Sequence, residues 1–181
     1  MRTLFLAVIA MAPLVPAAGL AADGTINISA TLTPTTCAVL TPSVAIQLSP
    51  PGGVPLRTFT GINSTSAWSD GADIVLDCSG SDSDVYMTFT DVQNPGNRTS
   101  TLPLTRASTA SGIGVQVARS GFAPIVFGAD SSTLGNANQF HVFRASNATT
   151  RIPFKGRYIQ TAAVVRGGTA NSLVTVTLAY Q

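Results

Sequence analysis

The feature of this sequence that most constrains its fold is an alternation of apolar and polar residues with a period of two, repeated from residue 24 to the end. Such alternation places apolar side chains on one face of a β-strand and polar side chains on the other. We therefore expect a chain built from strands. The clearest apolar faces are Ile74, Leu76 and Cys78; Val85, Met87 and Phe89; Ile113, Val115 and Val117; Ile152, Phe154 and Tyr158; and Val174, Val176, Leu178 and Tyr180.

Turn-forming stretches separate these strands, and no stretch keeps a helical period for three turns. Several short strands at this spacing predict an all-β fold, an antiparallel sandwich of immunoglobulin-like type. We interpret SPPGGVP as one long surface loop within that domain. The turn-forming stretches read SPPGGVP (49–55), SGSDSD (79–84), QNPGN (93–97) and VRGGTAN (165–171).

Residues 1–22 have the layout of a secretory signal peptide. Arg2 is followed by an apolar run from Leu4 to Val15 and by small residues ending at Ala21 or Ala22. The run is short and broken by prolines, so it does not resemble a membrane span. We expect its removal on export, leaving about 160 residues, which is the usual length of one domain.

The charge content is low for an exported chain. The sequence is 45% hydrophobic but only 10% charged, with a formal net charge of +2. A balance so close to zero gives no basis for capturing nucleic acid or anionic lipid by electrostatics. Weak self-repulsion suits a subunit that packs against copies of itself.

The two cysteines, Cys37 and Cys78, are expected to form one disulfide, because two thiols in an oxidising compartment most simply pair. The alternative, a catalytic or metal-binding thiol, has neither a CxxC motif nor a histidine cluster to support it.

Catalytic chemistry finds little support. The lone histidine, His141, lies in the alternating QFHVFR and is interpreted as a solvent-facing strand residue. The SDSD run (81–84) is interpreted as a polar turn and not as a calcium loop. Trp68 is the single tryptophan, and one such ring does not define a sugar site. We expect no enzymatic activity, cofactor, metal or small-molecule substrate.

The first alternating segment, GTINISATLT (24–33), lies almost at the expected mature start. Four of its residues, Ile26, Ile28, Ala30 and Leu32, point one way. A strand in this position needs a partner, which the pattern alone does not identify.

An ordered set of motifs carries a family resemblance. PTTCAV holds the first cysteine and DIVLDCSG the second, and GIGVQV, IPFKGRYIQT, GTAN and the terminal VTVTLAYQ follow. Together they resemble the type 1 fimbrial pilin family, whose subunits are assembled by the chaperone/usher pathway. The resemblance spans residues 23–181 and implies an immunoglobulin-like sandwich that lacks one strand, a deficit filled in the fibre by the N-terminal extension of the next subunit.

The resemblance also implies sites and partners. It divides the chain into a signal peptide (1–22), a donor-strand extension (23–34) and a pilin domain (35–181), located at the cell surface in a fimbria. The expected partners are neighbouring pilin subunits, a periplasmic chaperone and an outer-membrane usher. Ile26, Ile28, Ala30 and Leu32 match the groove-filling residues of the extension; Val174, Val176, Leu178 and Tyr180 match the strand that borders the groove and pairs with the chaperone.

One position departs from the family pattern, because Ala30 stands where many relatives have glycine and its methyl group asks for a wider acceptor pocket. The extension has room for one donor strand, which leads us to expect a shaft, adaptor or minor pilin that contributes to adhesion as structure. Two alternatives stay open. One is a secreted carbohydrate-binding sandwich that does not polymerise, and the other is a hydrolase with two convergent acids.

Overall fold

The computed structural model describes residues 24–31, 37–129 and 138–181. These residues form nine strands and one short 3-10 turn, Leu56–Thr58. Within the described ranges, no helix is long and apolar enough to cross a bilayer. The strands are β1 (Thr25–Thr31), β2 (Ala38–Val39), β3 (Ser43–Gln47), β4 (Ala72–Asp77), β5 (Asp84–Asp91), β6 (Ile113–Arg119), β7 (Phe140–Arg144), β8 (Thr149–Gln160) and β9 (Ser172–Tyr180).

Two sheets pack face to face. Five strands form one sheet in the order β3-β1-β9-β5-β7, and four form the other in the order β2-β4-β8-β6. All neighbours are antiparallel except β1 and β9, which are parallel. The predicted immunoglobulin-like all-β sandwich is thereby confirmed.

The core between the sheets consists of the predicted apolar faces. The side chains singled out on β4, β5, β6 and β8 are all buried, and the Phe89 and Phe154 rings meet across the core with centroids 5.2 Å apart. The alternation reports burial correctly because each sheet has one face on the core and one face outward. β3 is a strand that the sequence reading did not single out, although Val44 and Ile46 alternate with polar or small residues and are buried.

The sandwich has two ends. At one end, the Gly24 pole, β1 and β9 begin and β3, β5 and β8 end, so the pole consists of the loops 48–71, 92–112 and 161–171. At the other end, the Cys37 pole, β1 and β9 finish and β2 begins.

A disulfide joins Cys37 to Cys78, as predicted. It links the residue that precedes β2 to the residue that follows β4, and these two strands are antiparallel neighbours. The bond therefore anchors the chain at the Cys37 pole, immediately after the segment 32–36.

Candidate functional site

The N-terminal strand β1 lies between β3 and β9 and pairs with both. Its five antiparallel pairs with β3 run from Thr25 opposite Gln47 to Ser29 opposite Ser43. Its six parallel pairs with β9 run from Ile26 beside Ser172 onwards. Without β1, the facing edges of β3 and β9 would have no strand between them. With β1 set aside, the described residues of 37–129 and 138–181 leave a strand-sized groove between β3 and β9, which β1 of the same chain fills.

Two isoleucines of β1 fill the apolar floor of this groove. Ile26 is 0% exposed and Ile28 is 1% exposed, and each such burial contributes about 1.5–3 kcal/mol. Gly156 on β8 faces Ile26 from the opposite sheet, and a Cβ built there would overlap the Leu48 side chain and lie 3.0 Å from Ile26 Cδ1. Because residue 156 is a glycine, space is left in the core for the Ile26 side chain.

The other two predicted groove-filling residues are Ala30 and Leu32. Ala30 belongs to β1 and pairs in register with Val176. Leu32 lies outside the described residues. Their role as contacts to a second subunit stays a prediction, as does that of Ile26 and Ile28, because the pairing described above is within one chain.

The start of β1 is held at the Gly24 pole by polar contacts. The Leu48 amide donates to the Gly24 carbonyl at 3.0 Å, and the Thr25 amide donates to Asn171 Oδ1 at 2.9 Å. Gly24 is buried, and a Cβ on it would overlap the Ala170 carbonyl and the Tyr158 hydroxyl. Only glycine is accommodated at this position when β1 lies in its own groove.

The terminal strand β9 borders the groove, and its residues Ser172–Thr177 pair with β1. Val174, Val176 and Leu178 point into the core and are buried. Tyr180 is half-buried, and its hydroxyl donates to the Cys37 carbonyl at 3.2 Å. Burial raises the pKa of Tyr180, because the neutral phenol is favoured away from water.

His141, Arg144 and the two aspartates of the SDSD run form a polar cluster at the Cys37 pole. His141 lies on β7 and is exposed, as predicted, with its Nε2 2.9 Å from Asp84 Oδ1. Arg144 contacts Asp82 at 3.1 Å and Asp84 at 3.2 Å, and these contacts raise the pKa of Arg144. Pairs this exposed contribute little to stability. Among the residues described, no three His, Cys, Asp or Glu side chains are grouped to hold a metal ion.

Trp68 packs on the outer face of β8. Its ring lies 4.9 Å from Lys155 Nζ and 4.3 Å from the Arg157 guanidinium carbon, which are cation–π contacts. The Arg157 Nε also donates to Gln116 Oε1 at 2.9 Å, and burial lowers the pKa of Arg157. The tryptophan is therefore anchored on one side by basic residues, and it also lines a pocket formed with the loop 48–58.

The sequence reading missed two parts of the groove. One is β3, which forms one wall and whose Val44 and Ile46 alternation is only five residues long. The other is Gly156, which no local pattern distinguishes from a turn glycine, because its role depends on the strand that faces it across the core.

Fold and groove together define a two-sheet sandwich in which the N-terminal strand β1 fills the space between β3 and β9. The fimbrial protein family matches residues 26–181 of this chain, and the chain belongs to that family. The resemblance expected from the sequence is confirmed. Proteins of this family are structural or adhesive components of fimbriae and not enzymes, and the chain is exported to the cell surface as such a component.

Individual relatives are more distant. The F17c-G fimbrial adhesin of Escherichia coli is 35% identical over 98 residues, which are 54% of this chain and 29% of the adhesin. The F17a-G fimbrial adhesin of the same species is also 35% identical over 98 residues, covering 28% of its length. This chain thus matches less than a third of the length of these relatives.

The comparison with a solved pilus structure supports the fold alone. The structure of a chaperone-usher pilus matches with a TM-score of 0.52 and 16% identity, covering 94% of this chain and 100% of the other. An antigen and type I fimbria protein of Burkholderia pseudomallei has a TM-score of 0.48 and 23% identity, covering 86% of this chain and 93% of its own.

Proposed function

We propose that this chain is a structural subunit of a chaperone/usher fimbria, which polymerises by donor-strand exchange and contributes to cell adhesion. In this proposal β1 fills the groove of another subunit instead of its own. The observation that carries the proposal is the position of β1. It is an internal strand of its sheet, yet its only covalent link to the strands that follow is the five-residue segment 32–36.

A strand in this position can be exchanged because what it contributes does not depend on its chain of origin. The groove offers unpaired backbone groups on β3 and β9 and an apolar floor, and a strand from any copy satisfies both. In the proposed pathway, β9 with Val174, Val176, Leu178 and Tyr180 is the edge that a periplasmic chaperone pairs with before assembly at an outer-membrane usher.

The geometry of the poles favours one direction for the exchanged strand. β1 within its own groove runs parallel to β9 and finishes at the Cys37 pole. A copy donating its strand in that direction would place its Cys37 pole against the Cys37 pole of the acceptor. The acceptor's own strand leaves from that same pole towards a third copy, so the donor and the third copy would collide there. The reversed direction places the Cys37 pole of the donor against the Gly24 pole of the acceptor, and this head-to-tail contact repeats without closing.

A pair of substitutions on β1 tests the proposal. Ile28→Asp introduces a charge that the groove floor cannot solvate, and we expect it to abolish surface fibres in cells that express the chaperone and usher. Asn27→Asp adds the same charge on the neighbouring, exposed residue and should leave fibres intact. Electron microscopy and the ladder of detergent-resistant oligomers are the measurements. Fibres of normal yield from the Ile28→Asp variant would refute the proposal.

Two further experiments address the remaining parts. Removing residues 174–181, or replacing Tyr180 with Ala, should abolish a one-to-one complex with the chaperone on co-purification. N-terminal sequencing of the exported protein should begin at Ala22 or Asp23, in agreement with a signal peptide over residues 1–22 and an extension over 23–34. A well-folded, non-assembling monomer that needs no chaperone would favour the binding-module alternative.

A further inference from the structure

A pocket of about 620 Å³ opens at the Gly24 pole, beside the end of the groove. It begins at Leu48, whose amide is hydrogen-bonded to Gly24 at the start of β1. Its walls are mainly apolar, and Asp70 is the one charged residue among those described around it. The apolar side chains used below are those of Leu48, Pro50, Pro51, Pro55 and Trp68, and we call this site the Trp68 pocket.

The proposed function places another subunit next to this pocket, and the inference rests on that function. A donor strand that runs antiparallel to β9 leaves the groove at the Gly24 pole. Six peptide steps then separate Thr31 from Cys37 of the donor, a reach of about 20 Å at full extension. The Cys37 pole of the donor is thus held within that distance of the strand's exit, where the Trp68 pocket begins.

The donor's Cys37 pole carries a side chain of suitable chemistry. Leu40 is 54% exposed, three residues after the anchored Cys37. Its backbone is fixed, because the Leu40 amide donates to the Val75 carbonyl at 2.8 Å. The sequence from Cys37 to Pro42, CAVLTP, carries no charge, so Leu40 has no charged neighbour within this segment of the chain.

We propose that the Trp68 pocket of one subunit receives Leu40 of the next subunit along the fibre. The contact adds an apolar side chain to the junction, independently of the donor strand in the groove. It also restricts the angle between successive subunits, because Leu40 and the strand attach the donor at two separate points. The rigid proline walls lose little conformational freedom when the leucine enters.

The single tryptophan of the chain makes the junction measurable. An acceptor variant, Ile26→Asp with Ile28→Asp, has an intact groove but a disabled strand. A donor variant, Gly156→Leu with Trp68→Phe, has an intact strand but a blocked groove and no tryptophan. Refolded together from denaturant, the two chains can form only one kind of junction, in which Trp68 of the acceptor is the only indole.

We expect a heterodimer on size-exclusion chromatography, with Trp68 emission shifted to shorter wavelength and protected from acrylamide relative to the acceptor alone. Adding Leu40→Ser to the donor should remove both changes and weaken the heterodimer about ten-fold to one-hundred-fold. Val164→Ser is the matched control, because Val164 is also exposed but lies at the donor's Gly24 pole, away from the junction. The Val164→Ser variant should change neither the Trp68 signal nor the affinity of the heterodimer.

The outcomes separate the two proposals. Absence of a heterodimer contradicts donor-strand exchange itself, whereas a heterodimer with unchanged Trp68 emission overturns the pocket contact alone. A Trp68 response of the wild-type monomer to methyl glucoside or methyl galactoside would assign the pocket to a saccharide and likewise overturn it. If either variant fails to refold, acrylamide quenching of Trp68 in wild-type fibres and monomer gives the second measurement, and equal quenching refutes the contact.

Discussion

Gly156 on β8 lies directly across the core from Ile26 on β1, and the absence of a side chain at residue 156 sets the depth of the groove. A Cβ on Gly156 would lie 3.0 Å from Ile26 Cδ1, closer than real Cβ atoms are normally found to their neighbours. The groove therefore depends on a residue in the opposite sheet as much as on the two strands that form its walls.

Replacing Gly156 with Leu should expel β1 from the groove, because the new side chain competes for the volume of Ile26 and overlaps Leu48. Overpacking of this kind typically costs 1–3 kcal/mol. We expect faster hydrogen exchange of the β1 amides and cleavage of residues 24–31 by protease under native conditions. Gly96→Ala is the control, because a Cβ there would meet only Asn94 Oδ1 at 3.3 Å in an exposed loop. Unchanged protection of β1 in the Gly156→Leu variant would refute this reading of the groove.

Removing the disulfide with Cys37→Ala and Cys78→Ala should lower the free energy of unfolding by about 4 kcal/mol, because the bond closes a loop of 41 positions in the unfolded chain. Urea unfolding of the double variant and the oxidised wild type measures the difference. Addition of a reductant should bring the wild type close to the variant and leave the variant unchanged. Equal midpoints for all samples would show that the bond contributes no stability.

Alkaline pH should destabilise the fold through Tyr180, whose pKa is raised from 10.0 by burial. A group with a raised pKa in the folded state contributes stability that is present below pH 10 and lost as the pH rises through its folded pKa. Ionisation also removes the proton that the hydroxyl donates to the Cys37 carbonyl. The loss above pH 10 should be smaller in Tyr180→Phe. Parallel stability curves for the two proteins between pH 8 and 12 would contradict this assignment.

Thr88→Val should stabilise the protein. Thr88 is buried opposite Thr177 on β9, and neither hydroxyl has a hydrogen-bond partner within the part of the chain that the structure describes. Removing a buried, unsatisfied hydroxyl while keeping the side-chain shape should raise the free energy of unfolding by about 1 kcal/mol. Thr175→Val, on the same outer face but only half-buried, should change it little. A loss of stability in the Thr88 variant would indicate that its hydroxyl is satisfied.

The sequence predicted the parts of the fold that depend on local pattern. The apolar faces of β4, β5, β6, β8 and β9 were read correctly, because a strand with one buried face alternates regardless of its partners. The disulfide followed from the number of cysteines and the expected compartment. His141 followed from the same alternation, which placed it on the solvent side of β7.

The remaining features depend on contacts between distant segments, which local pattern does not encode. Nothing in GTINISATLT distinguishes a partner on the same chain from one on another molecule, because the apolar and polar alternation is the same in both cases. Gly156 and the Trp68 pocket are equally invisible, since each arises only when separate loops and sheets are brought together. β3 was missed for a simpler reason, namely that its five residues are too short a run to show the alternation clearly.

The short connection between β1 and Cys37 favours closure of the chain on its own strand. A tethered segment this close to its site has an effective concentration on the order of millimolar, whereas a copy of the strand on another molecule is present at its bulk concentration. Dilution or concentration of a closed monomer therefore does little to displace its own strand. For a chain that assembles as proposed, the outcome depends on which strand reaches the groove first, and the partner must arrive before the chain has closed on itself.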